Sequence, residues 1–461
     1  MKAEQLIPLC LRYHALLLNS DEQTIAIAVV DAPAPELLEA LRFATQKRID
    51  IECWSQDQMN KRQHVSTPPS LPVGGDTTPG IIERVNQVLE QALRQRASDI
   101  HIEPEENNLR IRLRVDGVLH LLPLLPSELA APIAARLKVL GNLDIAEHRL
   151  PQDGQFTLTL CGRPVSFRIA TLPCRHGEKI VLRLLHQVEQ ALELEALGLS
   201  SPQLAAFRAA LSQPQGLLLV TGPTGSGKTV TLYSALQARN QEQVNICSVE
   251  DPLEIPIAGM NQTQINTRSG LTFHSVLRAL LRQDPDIVMV GEIRDAETAE
   301  IAIKAAQTGH LVLSTLHTNS TSETLVRLQQ MGVASWMISS ALSLVIAQRL
   351  VRKLCVHCRR ETGDTVEVPH NLWPHPLPRW QAVGCPQCYH GYYGRQALFE
   401  LLPVNSALRL AIAHGLSAAE VESLARESGM MTLFESGCQA VGQGLTNFEE
   451  VIRVLGIPHG N

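Results

Sequence analysis

The sequence predicts an α/β protein built on an open, mostly parallel sheet, and three observations predict it. A glycine-rich turn, Gly222-Pro-Thr-Gly-Ser-Gly-Lys-Thr229, sits directly behind the apolar run Leu217–Val220 and ahead of the helix-prone stretch Val230–Gln237. Three more short apolar runs, Asn245–Val249, Asp286–Val290 and Leu311–Ser314, follow it. They are the length of strands buried on both faces of a parallel sheet. Each run also meets a polar cluster: Glu250-Asp-Pro-Leu-Glu254 after the first, Gly291-Glu-Ile-Arg-Asp295 after the second, and His310 and His317 flanking the third. In an open α/β sheet, ligands bind at the carboxyl ends of the strands.

A strand that ends in a glycine-rich turn and opens a helix aims backbone N–H groups, and the positive end of the helix dipole, at a di- or triphosphate. The candidate nucleotide-binding residues are therefore Gly222, Pro223, Thr224, Gly225, Ser226, Gly227, Lys228 and Thr229, with Lys228 reaching the β and γ phosphates and Thr229 holding Mg²⁺. A chance glycine-rich turn is the bland alternative, and the flanking strand and helix weigh against it. Glu292, at the end of a neighbouring strand, is the candidate for the residue that orients or deprotonates the attacking water. Glu250 is a second acidic candidate, placed to position metal or water. Taken singly, an acidic loop is usually solvated and a lone histidine is usually structural. Here three such clusters end strands close to one P-loop.

The other elements follow in chain order. Residues 1 to about 63 alternate short apolar strands, such as Thr24–Val30, with a helical period at 36–44, giving a small α/β unit without a clear cyclic-dinucleotide motif. The polar, proline- and glycine-bearing stretch 64–79 reads as a linker. An amphipathic helix is expected at Ile81–Gln95, then strands at Leu109–Val115, Gln155–Thr159 and Val165–Ala170, with Arg110, Arg112 and Arg114 read as solvated strand residues. Arg278 and Arg282 fall four apart on an expected helix face. The basic run Arg349, Arg352, Lys353, Arg359 and Arg360 reads as a solvated or intersubunit face.

Composition fits a soluble multidomain enzyme: 461 residues are enough for roughly three domains, and 44% of them are hydrophobic. A net charge of −6 and an aromatic content of 4% argue against a nucleic-acid binder, which needs a basic face or a stacking platform. There is no apolar run of membrane-spanning length, and Leu6–Leu18 is broken by Arg12 and His14, so neither a membrane span nor a signal peptide is read. The ten cysteines are accordingly placed in a reducing compartment. Cys355-x-x-Cys358 and Cys385-x-x-Cys388 supply the four thiolates of a tetrahedral structural zinc site. Four reduced cysteines without metal are the alternative. Cys10, Cys53, Cys161, Cys174, Cys247 and Cys438 lack comparable spacing and read as core or surface residues.

Four boxes of this chain closely resemble those of the type II secretion and type IV pilus assembly ATPases: Gly222–Thr229, Ser248–Glu254, Asp284–Asp295 and Thr308–Asn319. Further matches lie at Arg96–Pro104, Arg149–Gly154, Gly177–Leu185 and Phe448–Val454, so the likeness runs from about residue 80 to the end. The resemblance implies a small amino-terminal platform-docking domain (1–63), the linker 64–79, a PAS-like α+β domain (80–191) and a linker (192–200). A RecA-like P-loop ATPase core (201–350) and a carboxy-terminal region (351–461) with a four-cysteine zinc module and helices complete it. It further implies that Arg168 and Arg183 of the PAS-like domain reach the nucleotide, that Arg278, Arg282 and Arg294 tie subunits and nucleotide together, and that His317 senses the γ phosphate.

The expected assembly is a homohexamer at the cytoplasmic side of the inner membrane, driven by ATP and Mg²⁺ against a membrane platform protein. The cysteine module favours pilus extension or protein export, because retraction ATPases lack it as a family. A nucleotide-binding scaffold without turnover and a nucleic-acid motor on the same core are the competing classes. Every expected catalytic carboxylate is present, which counts against the first, and no basic face supports the second.

Overall fold

The structure, a computed structural model, describes residues 15–20, 24–30, 47–54, 80–185, 192–266 and 269–457. The helical period expected at 36–44, the linker 64–79 and Cys10 lie outside them. Two compact units are present, Met1–Thr78 and Pro79–Asn461. In the first, Thr24–Val29 pairs antiparallel with Leu16–Ser20 and parallel with Arg48–Cys53. Among its described residues Ala15, Ile25, Ile27, Ala28 and Val29 are buried.

The second unit opens with the helix Ile81–Arg94, whose Val85, Leu89 and Ala92 recur at helical spacing and are buried. It packs with the helix Ala130–Leu140 on an antiparallel sheet, in the order Val118–Leu121, Asn108–Val115, Ala97–Pro104, Gly177–Leu185, Arg163–Cys174 and Gln152–Leu160. Strict alternation explains the faces: along Asn108–Val115, Leu109, Ile111, Leu113 and Val115 are buried and the arginines between them are not. Those arginines are not simply solvated, as the sequence reading had it. Buried Glu103 accepts from Arg110 at 3.1 Å and from Arg112 at 2.8 Å, and Lys179 lies 2.8 Å from it. Burial alone would raise the Glu103 carboxyl, but Arg112 and Lys179 outweigh it and hold it at about 2.

The central sheet runs Asn261–Gln264, Ile246–Glu250, Ile287–Val290, Leu311–Leu316, Gly216–Thr221, Leu342–Leu354 and Tyr392–Pro403. All neighbours are parallel except the last pair. The middle strands are buried on both faces, which accounts for their continuous apolar sequence. Residues 192–200 are not bare linker: Leu194–Leu197 forms a 3₁₀ turn with Leu194 buried, and Ser200 caps the helix Ser201–Leu211. The mixed α/β class expected from sequence is the class observed.

Leu342–Leu354 carries the chain out of the core to the four-cysteine segment. Arg349, Arg352 and Arg359 are not part of the solvated face expected of this basic run, whereas Arg360 is exposed. Arg349 is buried, and Arg352 donates to Glu450 at 2.8 Å and stacks on Tyr392 at 3.8 Å. Arg359 donates to the Gly444 carbonyl and lies over Trp380. The Glu450 side chain is fully buried between Arg352 and Arg453. Burial opposes its ionisation, but the two guanidiniums hold it at about 2, so it pins the helix Phe448–Leu455 with a stabilisation present above pH 4.5 and lost as pH falls toward 2. The cysteine segment also meets the first sheet of this unit: His120 lies against Tyr389 at 4.1 Å, Arg96 covers Tyr393 at 3.9 Å, and Gly394 N donates to Asp116 at 3.0 Å.

Candidate nucleotide site

The P-loop leaves the fully buried strand Gly216–Thr221 and opens the helix Lys228–Arg239. Glycine is required at Gly222 and Gly227. Their φ angles are +148° and +90°, and a Cβ would stand 2.5 Å from the Gln348 carbonyl oxygen at the first and 2.7 Å from Gln348 Nε2 at the second. The cradle fits an anion on two observations. Ser226 Oγ is buried without a partner among the described residues, and Lys228 Nζ is held over the loop by the Gly222 and Pro223 carbonyls at 2.7 and 3.1 Å. Thr229 is half-buried in the first turn of that helix, while Thr224 and Gly225 form the exposed rim.

Burial, with Arg349 adding to it, pulls the Lys228 ammonium down to about 8 against the opposing pull of Glu292 and Glu254. Phosphate binds the charged form, so the free protein must take up a proton to bind once pH exceeds that value. Affinity for MgATP is expected to be flat below pH 8 and to weaken by about tenfold per pH unit above it. Lys228→Arg should remove the pH dependence; a fluorescent ATP titration across pH 6.5 to 9.5 reads both.

Gly291 steps off the strand Ile287–Val290 and sets Glu292 beside the cradle. Its carboxylate accepts from Arg294 and lies 3.3 Å from His317 Nε2, at the end of Leu311–Leu316. Burial works against the Glu292 charge, and the Arg294 and His317 contacts overcome it, so the carboxyl sits below its usual range and is ionised at neutral pH. Glu250 is more deeply buried. Its Oε1 accepts from Ser248 at 2.6 Å and Gln262 at 3.3 Å, and its Oε2 accepts from Tyr233 on the P-loop helix. His310 stands apart, with Nδ1 against the Ala305 carbonyl at 3.0 Å. A cavity of about 290 Å³ opens beside Arg294 and His317.

Arg168 and Arg183 are direct cross-strand partners, so both guanidiniums leave one face of the first sheet. Arg183 Nε donates to Asp99 at 2.9 Å, and Arg168 stands 4.0 Å from Asp153. Like charges set opposite each other are unfavourable, and a carboxylate beside each guanidinium offsets that here. Arg278 lies 3.9 Å from Glu297. Arg282 is not on the same helix face, as the spacing had suggested, because the helix Phe273–Leu280 ends before it; Arg282 Nη1 donates back to the Arg278 carbonyl at 3.0 Å.

The four cysteines converge. Sγ–Sγ distances are 3.8 Å for Cys355–Cys385, 3.7 Å for Cys358–Cys388 and 3.6 Å for Cys385–Cys388, all four sulfurs lying within 4.8 Å of one another. A tetrahedron with Zn–S bonds of about 2.3 Å has an edge of about 3.8 Å. The sulfurs are too far apart for disulfides, and the Gly384 and Cys385 amides donate to sulfur at 3.3 and 3.2 Å. The donor set therefore fits one zinc ion.

Sequence reasoning missed Tyr233, Gln262 and Asp99, and read Arg349 only as part of a basic face. A tyrosine on a P-loop helix facing an acidic strand end is a usable signal for Tyr233, whereas the others become neighbours only through sheet register.

The family model described as Type II/IV secretion system protein matches residues 76–453, and the MshEN domain model matches residues 4–60. The chain is 66% identical to a protein transport protein HofB homolog of Escherichia coli (strain K12), over all of both chains. It is 48% identical to the type IV pilus assembly ATPase PilB of Acinetobacter baylyi, over 81% of this chain and 66% of that one. Among solved structures, the pilus retraction motor PilT with bound ADP superposes with a TM-score of 0.54 at 27% identity, covering 80% of this chain and 96% of that chain.

Proposed function

The chain belongs to the Type II/IV secretion system protein family, and on that premise we propose that it is the ATP-hydrolysing subunit of a type IV pilus assembly or type II secretion motor. The observation that carries the reading is the convergence of an anion-ready P-loop with His317 and an ionised Glu292 on adjacent strand ends. An assembly ATPase at 48% identity supports the assembly reading, and an ADP-bound pilus retraction motor of the same fold supports a nucleotide-driven motor without choosing its direction.

ATP is the substrate. Backbone amides of Gly225–Thr229 and the Lys228 ammonium hold its phosphates, and Thr229 is the residue that would hold Mg²⁺, which supplies charge neutralisation at the transferring phosphoryl group. Glu292, once Arg294 turns to the nucleotide, orients the attacking water and accepts its proton. His317 reads the presence of the γ phosphate and passes its loss to the strand behind it. Glu250, anchored by three neutral donors, fixes the acidic edge of the site. Arg168 and Arg183 reach the phosphates when the first sheet closes on the core, and Arg278, Arg282 and Arg294 serve the junction between subunits.

A hexameric ring of such subunits, cytoplasmic and docked through an inner-membrane platform protein, turns closure into displacement. Among the described residues no helix is long and apolar enough to cross a membrane, so membrane attachment is assigned to the partner. The boundaries 1–63, 80–191, 201–350 and 351–461, with linkers 64–79 and 192–200, are part of the same proposal. The four-cysteine module favours extension or export over retraction.

The arginine pair provides the test. Arg168→Ala and Arg183→Ala are each expected to lower kcat by about tenfold to a hundredfold while MgATP affinity changes by less than about threefold, because a guanidinium supplied by a mobile domain acts on transition-state charge. Unchanged kcat in both variants would remove the first sheet from the mechanism.

A further inference from the structure

Arg349 is a buried cation that the site described so far leaves without a role. It lies on Leu342–Leu354, the strand next to the P-loop strand, two residues beyond the level of Thr221. It is 8% exposed. Its Nη1 donates to the Gln348 carbonyl at 3.0 Å, and its Nη2 to the Asn319 carbonyl and Asn319 Oδ1 at 3.2 Å each. Every one of these acceptors is neutral. Glu400 and Glu323 act on it only from beyond ion-pair distance, and burial dominates, lowering the guanidinium from its ordinary value. Burying a charge against neutral acceptors alone is costly, and Arg352, three residues along the same strand, avoids that cost by pairing with Glu450.

Two contacts show where the missing negative charge belongs. Arg349 Nη1 lies 3.1 Å from the place a Gly222 side chain would take, so the guanidinium backs directly onto the phosphate loop. On its other side it grips Asn319, two residues after His317. A second bridge runs parallel to it: Thr221 Oγ1, at the end of the P-loop strand, shares a hydrogen bond with Thr318 Oγ1 at 2.5 Å and accepts from Thr318 N at 3.0 Å. Thr221 thus ties the end of the P-loop strand to the turn after His317, and the Arg349 guanidinium, packed behind Gly222, ties that turn to the strand Leu342–Leu354.

We propose that Arg349 is a positioning residue for triphosphate binding: its charge, which the protein leaves unneutralised, is matched by the nucleotide's phosphates, and its fork holds the Thr318–Asn319 turn so that His317 faces Glu292. This rests on the assignment of Gly222–Thr229 as the ATP site. Charge and fork make separable contributions, because lysine keeps the first and loses the second.

The experiment uses the full chain and three readouts: Kd for MgATP by competition with a fluorescent ATP, kcat, and the unfolding midpoint without nucleotide. Arg349→Gln is expected to weaken MgATP binding by about tenfold with no fall in the unfolding midpoint, since it removes an uncompensated buried charge. Arg349→Lys should bind within about threefold of the parent and still lose kcat, because the fork is gone. Asn319→Ala, which leaves the charge in place, should lower kcat without changing Kd. Parent-like binding by Arg349→Gln, equal weakening by Arg349→Gln and Arg349→Lys, or parent-like kcat in Asn319→Ala would each overturn the proposal. If the parent binds MgATP and Lys228→Ala does not, the ATP site itself stands whatever Arg349 does; a parent that binds no MgATP overturns both.

Discussion

Glu292→Gln is expected to bind MgATP within about threefold of the parent and to hydrolyse it about a thousandfold more slowly. The substitution keeps the size and planarity of the side chain, so the strand end at Gly291 and a hydrogen bond accepted from His317 can persist. What it removes is the ionised carboxylate that the Arg294 and His317 contacts maintain at neutral pH. A neutral amide can still hydrogen-bond the water but cannot accept its proton. Single-turnover phosphate release, with bound nucleotide measured in parallel, separates the lost chemical step from lost binding. Equal losses in both would mean that Glu292 holds the nucleotide rather than activating water.

Cys385→Ser should release the metal and unfold the segment around it, the second large effect. Sulfur separations of 3.6 to 3.8 Å match a tetrahedral zinc edge of about 3.8 Å, and four thiols crowded this closely have little reason to stay together without a cation. Structural zinc is worth about 10 kcal/mol or more of apparent binding free energy in small domains, so the loss of one ligand is felt as local melting. Elemental analysis should give one zinc per parent chain and much less than one in the variant. Proteolysis should then open residues 355–391, and with them the contacts His120–Tyr389 and Asp116–Gly394 that seat the first sheet. Parent protein that folds with four free thiols and no zinc would contradict this.

The two predictions draw on different kinds of legibility. The P-loop, its strand and helix, and the paired CxxC turns could be read directly because each depends on residues close together in the chain. Apolar runs such as Ile287–Val290 and Leu311–Leu316 were legible for the same reason, since a parallel strand covered on both faces leaves a continuous hydrophobic signature. Pairings fixed by register were not legible. Nothing near Arg349 in sequence says that Asn319 will lie beside it, and nothing near Arg352 announces Glu450; a run of basic residues at a strand end has the same composition whether it meets water or a buried carboxylate. Arg278 and Arg282 show a third limit: their spacing suits one helix face, but the helix stops at Leu280, and helix ends depend on capping and packing as much as on periodicity.

Glu250 shows how a sequence candidate and its surroundings divide the work. Its acidic neighbours Asp251 and Glu254 belong to the same box, but only Glu250 is buried, with three donors from three elements. Tyr233 links it to the P-loop helix that also carries Lys228 and Thr229.

Steady-state phosphate release from MgATP by the purified full chain, alone and with a candidate membrane platform protein, tests the motor assignment most directly. Turnover that rises on docking and disappears in Lys228→Ala is the expected result. Nucleotide that binds with no phosphate released under either condition would make the protein a nucleotide-gated scaffold and contradict the assignment.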